Sequence, residues 1–136
     1  MFKTMLVEDN FSFRQLVKND LQSQFPSTNI IEAADGVEAF QNIDSHPPNL
    51  IFMDIQLPGE NGLELTRKIK ADHPEIIIVI LTSHDLPEYR EAAIRNKADY
   101  FLSKDSKTSE IFILVKSILL EKGFSSDGSD SKKRYS

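Results

Sequence analysis

The sequence has no cysteine in its 136 residues. That excludes disulfides, thiolate metal sites and a cysteine nucleophile. Tryptophan is absent too, which removes the usual intrinsic fluorescence probe. The longest uninterrupted apolar run, residues 76–81, is far too short to span a membrane. The opening Met1-Phe2-Lys3-Thr4 lacks the charged-then-apolar layout of a signal peptide, so a soluble cytoplasmic protein is expected. Basic residues number 16 against 21 acidic ones, for a net charge of -5 with no basic stripe, so this chain is not expected to bind nucleic acid directly.

What is present is one domain's worth of ordinary globular composition, 40% apolar and 27% charged. Short apolar runs at 4–7, 29–33, 50–53, 76–81 and 100–103 alternate with helix-period segments. Runs this short and apolar suit strands covered on both faces, as in a parallel sheet. In the first helical segment Phe13, Leu16, Val17 and Leu21 form a stripe, and Ser12 with Gln15 has capping-box spacing. In the second, Asp35 and Glu38 have that spacing, with Val37, Phe40 and Ile43 expected on one face. The third starts near Asn61 and buries Leu65 and Ile69. The fourth follows Asp85-Leu86-Pro87-Glu88, and its thin apolar stripe (Tyr89, Ala92, Ala93 or Ile94) points to a loosely held helix. The fifth, 108–122, carries Ile111, Leu114, Val115, Ile118 and Leu119 and stops at Gly123. The expected fold is α/β: a (βα)5 alternation with right-handed crossovers, giving an open, doubly wound parallel five-stranded sheet. Residues 1–123 form the domain, and 124–136, with five serines, read as a flexible tail or the start of a linker.

The chemistry lies where these runs end. The first ends on Glu8-Asp9, the third on Asp54, the fourth on Thr82-Ser83 and the fifth on Lys104. Parallel strands bring those ends to one edge of the sheet, where ligands of such folds sit. Two unit charges ~4 Å apart repel by roughly 4 kcal/mol at an effective dielectric of ~20, so three clustered carboxylates call for protonation or a cation. All-oxygen ligation suits Mg²⁺, and no histidine stands in these segments to favour zinc. Lys104 would steady charge on a transferred phosphoryl group; read blandly, it is a salt bridge to Asp54.

Taken together, Glu8-Asp9, the string Asp54-Ile-Gln-Leu-Pro58-Gly-Glu-Asn-Gly62, Thr82 and Lys104 resemble the receiver domain of two-component response regulators. The resemblance covers roughly residues 3–123 and implies the fold of the chemotaxis regulators, a flavodoxin-like (βα)5 sheet in the order 2-1-3-4-5. It implies that Asp54 accepts a phosphoryl group from the phosphohistidine of a sensor histidine kinase or phosphotransfer protein, or from a small phosphodonor. It implies Mg²⁺ held by Asp9, Asp54 and the backbone carbonyl of Gln56, with Glu8 acting through water. Lys104 and Thr82 would contact phosphoryl oxygens, and Phe101 would be the switch aromatic that moves inward with Thr82. The surface of the fourth helix, fifth strand and fifth helix, including Ile94, Phe112 and Tyr100, would then change for a downstream partner, a fused helix-turn-helix output domain or a phosphorylation-dependent homodimer.

Some positions depart from the family pattern. Asp105 follows Lys104 where many members have proline, which resembles the NarL type of DNA-binding regulators. Phe101 lacks a tyrosine's hydroxyl, Tyr100 is bulky, and Ser83 replaces the commoner alanine. Gln56, Ser83 and His84 form the rim of the site, and His84 reads as rim rather than catalytic base. His46 and His73 precede prolines in loops and do not suit a phosphorelay histidine. Three other readings compete. An aspartyl-phosphate phosphatase of the haloacid-dehalogenase type needs a second acid where Gln56 stands. A flavin or nucleotide binder needs a phosphate cradle where Glu8-Asp9-Asn10-Phe11 would repel it. A receiver-like docking module would never become phosphorylated.

Overall fold

The computed structural model describes residues 1–130. Five strands, β1 (Lys3–Val7), β2 (Asn29–Ala33), β3 (Leu50–Met53), β4 (Ile77–Thr82) and β5 (Tyr100–Ser103), alternate with five helices. The helices are α1 (Phe11–Gln24), α2 (Gly36–Ser45), α3 (Gly62–Asp72), α4 (Pro87–Arg95) and α5 (Thr108–Glu121). All strand pairs are parallel, in the order β2-β1-β3-β4-β5. This is the expected flavodoxin-like α/β fold.

The period-2 alternation of the strands divides the core in two. Met5, Val7, Ile51, Met53, Ile78 and Ile80 point to one face and pack with α2, α3 and α4. Leu6, Phe52, Val79 and Leu81 point to the other and pack with α1 and α5. Helices thus cover both faces, which is why the central strands β3 and β4 are buried at every residue. The chain turns back past β1 to reach β3, so the reversal of strand order falls between the carboxyl ends of β1 and β3.

Several local readings change. Helix α1 is capped by Asn10, whose side chain accepts from the Phe13 N–H at 3.0 Å, so Ser12 already lies inside the helix and forms no capping box. Leu16 is exposed, and Val17 and Leu21 carry the buried stripe. At α2 the expected cap forms: Asp35 accepts from the Glu38 N–H at 2.9 Å, and Glu38 accepts from the Ala34 N–H. Val37, however, faces solvent, because the buried face of α2 is built from Gly36, Ala39 and Ile43. Gly36 makes room there for Leu65 of α3, which a Cβ would meet at 2.8 Å, a fit that counting large apolar side chains does not see. Helix α3 starts at its Asn61 cap. Helix α4 buries only Ala93 and has no side-chain cap, consistent with its thin stripe.

The stretch expected to be a tail begins as ordered structure. Phe124 meets Phe2 edge-to-face at a 5.1 Å centroid separation, and it forms a β-bridge with Asp130. The Ser27 N–H donates to the Asp127 carbonyl at 3.3 Å. Composition alone misses this because the serines and aspartates after Phe124 satisfy their backbone groups locally, as in the Ser125 N–H to Ser129 carbonyl bond at 2.8 Å. Residues 131–136 lie outside the described residues. Phe124→Ala is expected to lower unfolding free energy by about 2 kcal/mol in a urea titration, the cost of removing a half-buried aromatic. An unchanged midpoint would mean that the contact carries no stability.

Candidate phosphoryl and cation site

Each polar group comes to the edge by the backbone that precedes it. The Glu8 N–H donates to the Ala33 carbonyl and the Asp54 N–H to the Val7 carbonyl, each at 3.0 Å. These bonds extend the β1–β2 and β1–β3 ladders one residue past the strands and fix both acids at the switch point. The Lys104 N–H donates to the Thr82 carbonyl at 2.8 Å, which fixes the end of β5 against that of β4. Asp105 keeps an N–H that a proline would lack, and donates it to Ser103 Oγ at 3.1 Å to close the turn.

Glu8 and Asp54 are buried and Asp9 is exposed, and one carboxylate oxygen from each of the three lies within 4.8 Å of the others. They open into a cleft of ≈ 450 Å³ lined also by Asn10, Gln56, Leu57, Pro58, Ser83 and Lys104. Of the Asp54 carboxylate, Oδ1 accepts from the Ile55 N–H at 2.8 Å and Oδ2 from Lys104 Nζ at 3.3 Å. Lys104 also pairs with Glu8, more closely than with Asp54, so it bridges two acids rather than forming the single Asp54 salt bridge of the bland reading. Burial alone would lower the Lys104 pKa. The hydrogen bond to Glu8 and the charges of Asp54 and Glu8 outweigh it and hold the ammonium above its ordinary value. The face of Phe13 covers the same ammonium, with Nζ 4.7 Å from the ring centre.

Other sequence-marked residues fall into three groups. Gln56 and Ser83 line the cleft as rim residues, and half-buried His84 stands beside it against the Tyr89 ring. Thr82 is wholly buried, and its hydroxyl accepts from the His84 N–H at 3.1 Å rather than lining the cleft. Phe101 is half-buried against the core, with the Arg90 guanidinium 4.6 Å above its ring, and Arg90 is paired with Asp85. On the α4–β5–α5 side, Ile94 is 72% and Tyr100 37% exposed. Phe112 is not exposed as expected: it packs edge-to-face on Phe25 at 5.8 Å, and its neighbour Ile113 takes the outward position.

Sequence reasoning missed Arg14 and the role of Phe13. Both touch the site from α1, and neither has a spacing that announces it.

A family model described as response regulator receiver domain matches residues 4–116. The chain is 32% identical over 117 residues to the oxygen regulatory protein NreC of Staphylococcus haemolyticus (strain JCSC1435), an alignment covering 85% of this chain and 54% of that protein. It spans about half the length of the curated relatives it matches. A two-component response regulator of the LuxR family from Aurantimonas sp. SI85-9A1 superposes with a TM-score of 0.79 at 29% identity, over 88% of this chain and 85% of that one. The Mn²⁺-bound form of response regulator Rcp1 superposes at 0.73 and 25% identity, over 87% and 91%. With fold, acid cluster and these likenesses in agreement, the chain belongs to the response-regulator receiver domains of two-component systems.

Proposed function

We propose that this domain is a phosphorylation switch with Asp54 as the acceptor. The observation that carries the proposal is the state of that carboxylate: buried, held at one oxygen by the Ile55 N–H and facing a cationic Lys104 across the other. An Asp54 oxygen attacks phosphorus, the phosphorus–nitrogen bond of a phosphohistidine breaks, and its electron pair stays on the imidazole nitrogen, which is then protonated. The donor is a sensor histidine kinase or a phosphotransfer protein. Lys104, already poised between Asp54 and Glu8, stabilises the charge on the transferred group.

The donor set fits Mg²⁺: all-oxygen, two carboxylates buried and a third exposed at the cleft mouth. Asp9, Asp54 and the Gln56 carbonyl would hold it, with Glu8 through water, and a bound dication would neutralise charge on the phosphoryl oxygens. The Mn²⁺-bound Rcp1 supports the same cation class. Gln56 supplies no general acid for rapid hydrolysis, so the domain acts as an acceptor that hydrolyses its phosphoryl group slowly rather than as a turnover enzyme.

Thr82 connects chemistry to output. Its hydroxyl accepts from the His84 N–H and lies buried outside the cleft lining, so for its O–H to reach a phosphoryl oxygen the β4–α4 loop moves inward. A new dianion therefore favours one loop arrangement over another. The weakly anchored α4 and the Phe101 ring follow, changing the surface around Ile94 and Tyr100. The receiving element is a downstream protein, a second copy of the domain or a helix-turn-helix output domain of the kind found in LuxR-type regulators, in the cytoplasm. No helix among the described residues is long and apolar enough to cross a membrane.

Acetyl phosphate with Mg²⁺ is expected to add one phosphoryl mass, and excess chelator to prevent it. Equal labelling with and without chelator would contradict the role of the cation.

A further inference from the structure

The Asp9 carboxylate makes no hydrogen bond or ion pair with any described residue, so its direction is set by the backbone that carries it. On one side of that backbone the Glu8 N–H is tied to Ala33. On the other, the Glu8 carbonyl accepts from Arg14 Nη1 at 2.6 Å. Arg14 is itself anchored: Nε donates to Glu32 Oε1 at 2.8 Å, and the side chain is only 12% exposed. Glu32 in turn receives Gln15 and, at 3.0 Å, Lys18. The Arg14 hydrogen bond chiefly, with Lys18 adding to it and partial burial opposing, holds the Glu32 carboxyl below its ordinary pKa, so the anchor stays ionised.

We infer that Arg14 is a positioning residue for the divalent cation, fixing the Glu8–Asp9 peptide so that both carboxylates face Asp54. The inference rests on the cation reading given above. It needs arginine in particular. The planar fork reaches a carboxylate on β2 and a carbonyl at the end of β1 at the same time, whereas an ammonium is a point charge without that fixed geometry. Outer partners that orient metal ligands typically contribute 10–100-fold to metal affinity.

The test is Mg²⁺ titration of the whole domain, followed through the amide chemical shifts of Asp9 and Gln56. Arg14→Met is expected to raise the half-saturating concentration by about tenfold. Arg14→Lys should fall between it and the wild type. Glu32→Gln should shift in the same direction by less, and the double variant by less than the sum. The phosphorylation deficit of Arg14→Met should shrink as Mg²⁺ is raised, a rescue that a purely structural role would not give. If Arg14→Met does not fold, the Glu32→Gln midpoint decides alone. Unchanged midpoints beside a wild type that responds to Mg²⁺ overturn the inference and leave the switch intact. A wild type without any Mg²⁺ response removes the cation reading and this inference with it.

Discussion

Replacing Gly62 with alanine is expected to be among the most damaging single changes in the domain, at about 3 kcal/mol or more. A Cβ at this position would stand 1.8 Å from the Asp54 carbonyl oxygen and 2.8 Å from its carbon. Both are main-chain atoms, so no rotamer change relieves the overlap. Nor can the start of α3 swing aside easily, because the Gly62 N–H donates to the Ile55 carbonyl at 2.8 Å. Either the loop from 54 to 62 opens or the Asp54 peptide turns, and each disturbs the acceptor. The measurement is the urea midpoint together with acetyl phosphate labelling. Gly59→Ala is the control. Gly59 has φ +82 with nothing within 4 Å, so alanine there should cost only the ~1–2 kcal/mol of a left-handed residue. Equal midpoints for the two variants would refute the close approach.

Lys104→Met should have effects of opposite sign on metal binding and on chemistry. Without the ammonium, Glu8 and Asp54 are left as neighbouring buried carboxylates, and the metal-free domain should lose about 2–3 kcal/mol. A cation then has more to neutralise and no positive charge to oppose it. Mg²⁺ is expected to bind about tenfold more tightly, equivalent to about 1.4 kcal/mol, and to restore part of the lost stability. Phosphorylation should nevertheless slow about 10²-fold, because the group that meets the developing charge is gone. Calorimetric Mg²⁺ titration and labelling rates separate the two. Weaker Mg²⁺ binding in the variant would mean that Lys104 organises the acids rather than competing for them.

Most of this architecture was legible because it rests on local patterns. The bounds of β2, β3 and β5 coincide with their apolar runs, β1 starts one residue earlier than its run, and β4 is shifted one residue along from its run. The strand-end acids, Thr82 and Lys104 followed from topology, since parallel strands must deliver their carboxyl ends to one edge. What sequence could not supply were contacts that depend on which neighbour a long side chain finds. Arg14 reaches Glu32 across 18 positions and Lys104 finds Phe13 across the sheet edge, neither with a recurring spacing. Phe112 was misplaced because Phe112 and Ile113 are adjacent apolar residues on α5, and only the position of Phe25 decides which turns inward. The spacing of Ser12 to Gln15 points to Ser12 as the cap, whereas the Asn10 side chain takes the Phe13 N–H and starts the helix before Ser12.

The central claim is that Asp54 is the acceptor. Intact-mass measurement of wild type and Asp54→Asn after acetyl phosphate and Mg²⁺ tests it most directly. One added phosphoryl group on the wild type and none on the variant is the predicted result. Equal labelling of the two proteins would contradict it.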